Sequence, residues 1–145
     1  MAATTNKAAW SAMLSKLQSL GSVRNVVQGE PRSKMQNGTV ALIPERGRID
    51  ETTLSTAREV HVVTLRRYEN ALQESPAAIE NSLDEWRAAV AADVFGDFEL
   101  GGTVAYALPD QFTWEYGYQT VEHTLYRILD LVISYRVDDR ITLTA

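Results

Sequence analysis

At 145 residues the chain is long enough for one domain that buries about 68–70% of the surface its unfolded form exposes. It holds no cysteine, which excludes disulfides and thiolate metal sites and suits a reducing cytoplasm. A formal net charge of −5, with Lys7 and Lys16 interrupting the apolar positions near the start, argues against a dedicated nucleic-acid binder, a secretory signal and a membrane span.

In chain order, Trp10, Met13, Leu14, Leu17 and Leu20 recur at helical spacing and predict an amphipathic helix over residues 5–20, with Gly21 just past its end. Val23–Gln28 is a short apolar strand that stops at Gly29-Glu30-Pro31. Residues 29–38 read as a polar loop ending in the turn pair Asn37-Gly38, both of which tolerate positive φ. Thr39–Ile43 is a second strand, halted by Pro44, which cannot donate to a ladder. Residues 44–58 are charged and lack apolar periodicity, which predicts a second long loop suited to binding work. Glu59–Tyr68 is a third strand, with Val60 and Val62 on one face and Val63 and Leu65 on the other; Arg66-Arg67 fall at a sheet edge or rim.

Ser75-Pro76 opens the clearest helix: Ser caps the free amides and Pro suits the first helical position. Its stripe is Ile79, Leu83, Trp86 and Val90, with Asp84 and Arg87 paired outside and Gly96 at the end. Phe98–Leu100 is a short strand broken by Gly101-Gly102, and Thr103–Leu108 continues in extended form. Phe112, Trp114, Tyr116 and Tyr118 alternate on one strand face, and Gly117 marks a turn-like point. Val121–Val137 fits a helix through Leu125, Ile128, Leu129 and Val132, and a strand through Leu125, Leu129, Leu131, Ile133 and Tyr135. A long strand is the reading adopted, which gives an α+β domain: a mainly antiparallel or mixed sheet with two flanking helices.

No catalytic, metal or cofactor motif emerges. His61 and His123 each fall inside a predicted strand without a carboxylate-histidine spacing, so ordinary sheet histidines outweigh a metal pair. Gly101-Gly102 lacks the downstream Lys and helix of a phosphate loop. Asp84-Glu85, Asp130 and Asp138-Asp139 show no arrangement that separates an acid from a base. The three tryptophans, Trp10, Trp86 and Trp114, default to core packing.

Charge is uneven along the chain. Residues 24–67 carry eight Arg/Lys against five Asp/Glu, a balance of +3, while residues 68–145 carry four Arg against fourteen Asp/Glu, a balance of −10. A basic middle and an acidic end suit contact between neighbouring copies, but a solvated surface with uneven charge is the simpler explanation. The candidate subunit or partner interface is therefore Arg32, Lys34, Glu45, Arg46, Arg48, Asp50 and Glu51 in the two loops.

The element order, together with Trp114-Glu115-Tyr116-Gly117 and Tyr126-Arg127 through Tyr135-Arg136-Val137, resembles the tail terminator (tail completion) proteins of long-tailed bacteriophages. The resemblance spans most of the chain in element order and is sharp only over residues 112–137. It implies a structural virion protein, not an enzyme and without a cofactor, that caps the completed tail tube as a ring, commonly of six subunits. Its implied partners are further copies of itself, the tail tube protein and the head-tail connector or neck proteins, with DNA only passing through the ring and no membrane. The implied location is the head-proximal end of the tail, after synthesis in the host cytoplasm. A head completion or stopper protein of the same neck is the alternative, and a small soluble enzyme the distant one.

Overall fold

The residues that alternate as Leu129, Leu131, Ile133 and Tyr135 form an interior strand of the sheet. The computed structural model describes residues 5–52, 56–97, 99–102, 104 and 106–142, without the side chains of 50–52, 56, 57, 106 and 138–142. The elements are α1 (Lys7–Ser19), β1 (Asn25–Gln28), β2 (Thr39–Thr52), β3 (Thr56–Asn70), α2 (Pro76–Gly96), β4 (Tyr106–Ala107), a 3-10 turn (Pro109–Gln111), β5 (Thr113–Val121) and β6 (Thr124–Thr142). One mixed sheet runs β1-β2-β3-β6, and β5 and β4 both pair with the far edge of β6. Among the described residues only β1 against β2 is parallel. The chain is an α+β domain, as its alternating patterns predict.

Both helices lie on one face of the sheet. Ala9, Met13 and Leu17 of α1, and Ile79, Leu83, Trp86, Val90 and Val94 of α2, close over Val63 and Leu65 of β3 and Leu129, Leu131 and Ile133 of β6. Each of the larger aliphatic side chains contributes about 1.5–3 kcal/mol when fully buried. Ser75 caps α2 as expected, its Oγ accepting from the Ala78 amide at 3.2 Å. The opposite face is covered at one end by the 29–38 loop: Met35 packs, with Val27 of β1, against Ala41, Tyr68, Tyr126 and Ile128. The Tyr126 hydroxyl donates to the Met35 carbonyl and accepts from the Met35 amide, both at 3.0 Å. At Gly38 the backbone has φ +81°, and a Cβ there would stand 2.9 Å from the Ser22 carbonyl, so only glycine fits the turn.

Polar ties fix how these layers sit. Arg66 faces away from the helices and holds Asp130 bidentately, at 2.7 and 2.9 Å, and this carboxylate keeps the guanidinium charged. Arg67 points the other way and is 3% exposed. Its Nε donates to Glu69 at 2.9 Å and its Nη1 to the Ser22 hydroxyl at 2.9 Å, while the guanidinium carbon lies 5.7 Å from the centre of the Trp86 ring. The Arg66-Arg67 pair is therefore not at an edge; β3 is interior, and the two arginines serve opposite faces.

Four further expectations change. Strand β2 does not stop at Pro44 but runs to Thr52, and β3 starts at Thr56, so the predicted 44–58 loop is instead the two sides of an extended hairpin arm. Beyond Leu42, β1 no longer flanks β2, and an edge tolerates a residue without an N–H; a register shift follows directly between Pro44 and Arg46. Gly117 lies mid-strand opposite Ile128, and the turn falls at Glu122-His123, whose φ values of 45° and 66° form the tight link between β5 and β6. Residues 99–102 form a turn rather than a strand, with Leu100, Gly101 and Gly102 all at positive φ. Of the extended 103–108 segment only Tyr106–Ala107 pairs, and Phe98, Thr103 and Ala105 lie outside the described residues.

Removing Glu69 would leave a charged arginine inside the helix–sheet layer. Glu69→Ala is expected to lower unfolding stability by about 3 kcal/mol in urea titration. A second tie, between α1 and the end of α2, sets a pH dependence: Lys16 Nζ lies 3.0 Å from Asp97 and, with the Gly101 amide at 3.1 Å, holds that carboxyl below its ordinary value of 3.8. A depressed folded value means the contribution is present above about pH 4 and lost as pH falls through that folded value. The stability difference between the native chain and Lys16→Met should therefore be present at pH 7 and vanish in strong acid, read from urea midpoints across that range.

Candidate assembly surface

From Pro44 to Ile49 every residue of β2 is exposed, on both faces of the sheet. Arg46 stands opposite Val62 and Arg48 opposite Val60, so both arginines project from the face away from the helices. Ile49, opposite Glu59, projects from the other face and is 53% exposed. Glu45 is the extra residue of the register shift, and a second shift separates Ile49 from Glu51. Asp50 and Glu51 are strand residues whose side chains lie outside the described set.

The base of the arm is anchored to α1 by a chain of polar contacts. His61 stacks on Tyr135 with ring centres 5.5 Å apart, and its other side meets Gly47, where a Cβ would stand 3.1 Å from Nδ1. The imidazole Nε2 is 2.7 Å from Glu59 and Nδ1 is 3.3 Å from the Asn6 amide nitrogen. With Asn6 donating to Nδ1, the imidazole proton sits on Nε2 and is donated to Glu59. The Tyr135 hydroxyl donates to Asn6 Oδ1 at 2.8 Å and accepts from Trp10 Nε1 at 3.0 Å. Asn6 occupies the N-cap of α1 yet makes no side-chain cap bond, because its amide is spent on the sheet. A carboxylate–histidine pair is thus present that spacing did not suggest; in an extended strand residues two apart share a face, which is how Glu59 reaches His61. Among the described residues no group of three or more metal-ligating side chains forms. His123 sits at the β5–β6 turn, the far end of β6 from His61 and Tyr135.

No protein-family model matches this sequence, and no curated protein matches it.

The other margin of the sheet is the outer edge of β5. Here Trp114, expected in the core, is 47% exposed, and Tyr118 on the same strand face is 61% exposed. Arginines cover the rings from the helix side. Arg87 lies 4.6 Å from the centre of Trp114, and Arg127 lies 4.6 Å from Tyr118 and 5.3 Å from Tyr116. Asp84 and Glu80 neutralise those arginines at 2.8 and 3.2 Å. Burial, then the nearby Asp84 carboxylate, pushes the Tyr116 hydroxyl above its ordinary value. Glu115, opposite Asp130, projects exposed from the other face, which it shares with Gln119, whose side chain accepts from Arg66 at 3.1 Å. Arginine, tryptophan and tyrosine held rigidly at a margin are the residue types that dominate protein contacts. The sequence signal was there in Arg87 and Asp84 facing an aromatic strand, but only the edge position of β5 exposes it.

The seven predicted interface residues do not form one patch. Arg46 and Arg48 share a face of the arm with Glu45 at its bulge. Arg32 and Lys34 are exposed on the 29–38 loop, which covers the other end of that face and is tied down where the Lys34 amide donates to Glu122 at 3.1 Å. Asn6→Ala, which strips two partners from the base of the arm, should cost about 1–2 kcal/mol in urea unfolding.

Proposed function

We propose that this chain is a phage tail terminator-type assembly protein. It closes as a ring of its own copies on the finished tail tube, stops further tube growth and presents the surface on which head-side connector proteins dock. The observation that supports this most directly is the β2 arm: a strand exposed on both faces and along its outer edge is a liability in a lone molecule and is useful when another chain covers it. The exposed edge of β5, at the opposite side of the same sheet, supports the same reading, since two different surfaces of one subunit that fit each other generate head-to-tail rings. Arg46 and Arg48, the charged part of the arm, are the residues proposed to work at the contact, and no cofactor is required.

The test is tail-tube length by electron microscopy, with assembly carried out with and without the chain. Capped tubes of defined length with it, and overlong tubes without it, are expected. Arg46→Glu/Arg48→Glu should behave like the absence of the chain while keeping its folded circular dichroism. Unchanged tubes would remove the terminator reading, and full heads that leak their DNA would move the protein to the head side of the neck as a stopper.

A further inference from the structure

The sheet has two margins, and each carries what the other lacks. On the face away from the helices, the β2 margin offers Arg46 and Arg48, and the β5 margin offers Glu115. On the helix face, the β2 margin offers exposed Ile49, and the β5 margin offers exposed Trp114 and Tyr118. Among the described residues no strand pairs with the outer edge of β2 beyond Leu42 or with the outer edge of β5. We propose that these margins join two copies of the chain: β2 over Arg46–Ile49 of one copy adds as an antiparallel strand to β5 over Trp114–Gly117 of the next, with Arg48 opposite Glu115 and Ile49 opposite Trp114. The proposal rests on the ring reading above and names the contact that makes the ring.

Three independent features fit. Direction is the first: β2, β3, β6 and β5 alternate, so a sheet continued from β5 to the β2 of a neighbour keeps the antiparallel sense. Side-chain parity is the second. With Arg48 opposite Glu115, each face is matched at once, opposite charges on one side and isoleucine against an indole on the other, and a slip by one residue would mismatch both. Gly47 then lies beside Tyr116, where a bulky side chain would crowd the ring.

Stagger is the third. In the ladder Arg48 is level with Val60 and so with Arg136, whereas Glu115 is level with Asp130. The two margins are therefore offset along β6 by the separation of Asp130 and Arg136, about 20 Å at ~3.4 Å per residue. Four strand spacings, from the β2 of one copy to that of the next, cover about 19 Å at ~4.8 Å each. An offset comparable to the width inclines the strands by about 45° to the direction of repeat, near the roughly 35–45° tilt at which sheets close on themselves. The margin of β2 level with β5 is occupied by β1, so the unstaggered contact is blocked and the inclined one remains.

Because the native chain has no cysteine, the contact can be trapped without background. Directly opposite antiparallel residues lie roughly 4.5–5.5 Å apart at Cα, within disulfide reach. Arg48→Cys/Glu115→Cys should give, on mild oxidation of the concentrated full-length chain with or without tail tubes, a ladder of covalent multimers that a reductant collapses. A mixture of the two single variants should stop at the dimer. As a second readout, Arg48→Glu and Glu115→Arg should each abolish self-association in sedimentation, and the double swap should restore it. Multimers in sedimentation without a ladder would overturn this joint and leave the ring reading standing. Dimers from Arg48→Cys alone would overturn it in favour of a twofold β2–β2 contact. A chain that stays monomeric and unlinked under both conditions would overturn the joint and the ring together.

Discussion

The pairing of β3 with β6 fixes the position of almost every other element, because each neighbour is positioned by one of these two strands. The ladder runs from Tyr126 against Asn70 to Thr142 against Thr56, with one irregularity near Arg58. Its interior residues supply the platform beneath both helices: Leu65 against Leu131 and Val63 against Ile133 sit directly under the α2 stripe. Strand β2 takes its register from β3, and β5 and β4 take theirs from β6. A side-chain period of two allows no compromise here, since a slip by one residue would turn this whole apolar set to the outer face.

Adjacent arginines exploit that alternation. Arg66 and Arg67, consecutive on β3, face opposite sides of the sheet and meet different acids, Asp130 across the strand and Glu69 two residues on. Arg66 also gathers Glu30 and Gln119, so a single guanidinium links the 29–38 loop, β3, β6 and β5. On the helix side Arg67 reaches the turn after α1 through Ser22. The polar ties therefore connect the elements that the hydrophobic layer alone would leave free to slide.

Much of this was legible from local chemistry. Ser75-Pro76, the Ile79–Val90 stripe and Asn37-Gly38 each announce their geometry, because capping, amphipathic spacing and positive φ act within a few residues. The arm was not legible, since Pro44–Ile49 is solvent-facing on both sides and a strand without a buried face shows no alternation. The β5–β6 turn was missed for a related reason: Glu122-His123 adopts positive φ without glycine or asparagine, imposed by the strands on either side and by the contact of Glu122 with the Lys34 amide. For the candidate site, Arg46, Arg48 and Glu45 were readable as exposed charge, but their shared face was fixed only by the register shift after Pro44. Trp114 read as core because sequence shows alternation and not whether a strand is interior or at a margin.

The order in which these strands occur along the chain has a kinetic consequence. Strand β3 and its main partner are separated by all of α2 and β5, so the principal ladder joins residues up to Thr56 and Thr142 apart. Closing so long a loop before any reward arrives slows folding toward the millisecond-to-second range of sheet-rich domains. During synthesis β3 emerges well before β6, and until then only the β2–β3 hairpin and the local helices can form. The margin offered by β5 exists only once β6 is in place, which makes the completed sheet, rather than its first hairpin, the species able to present both sides at once.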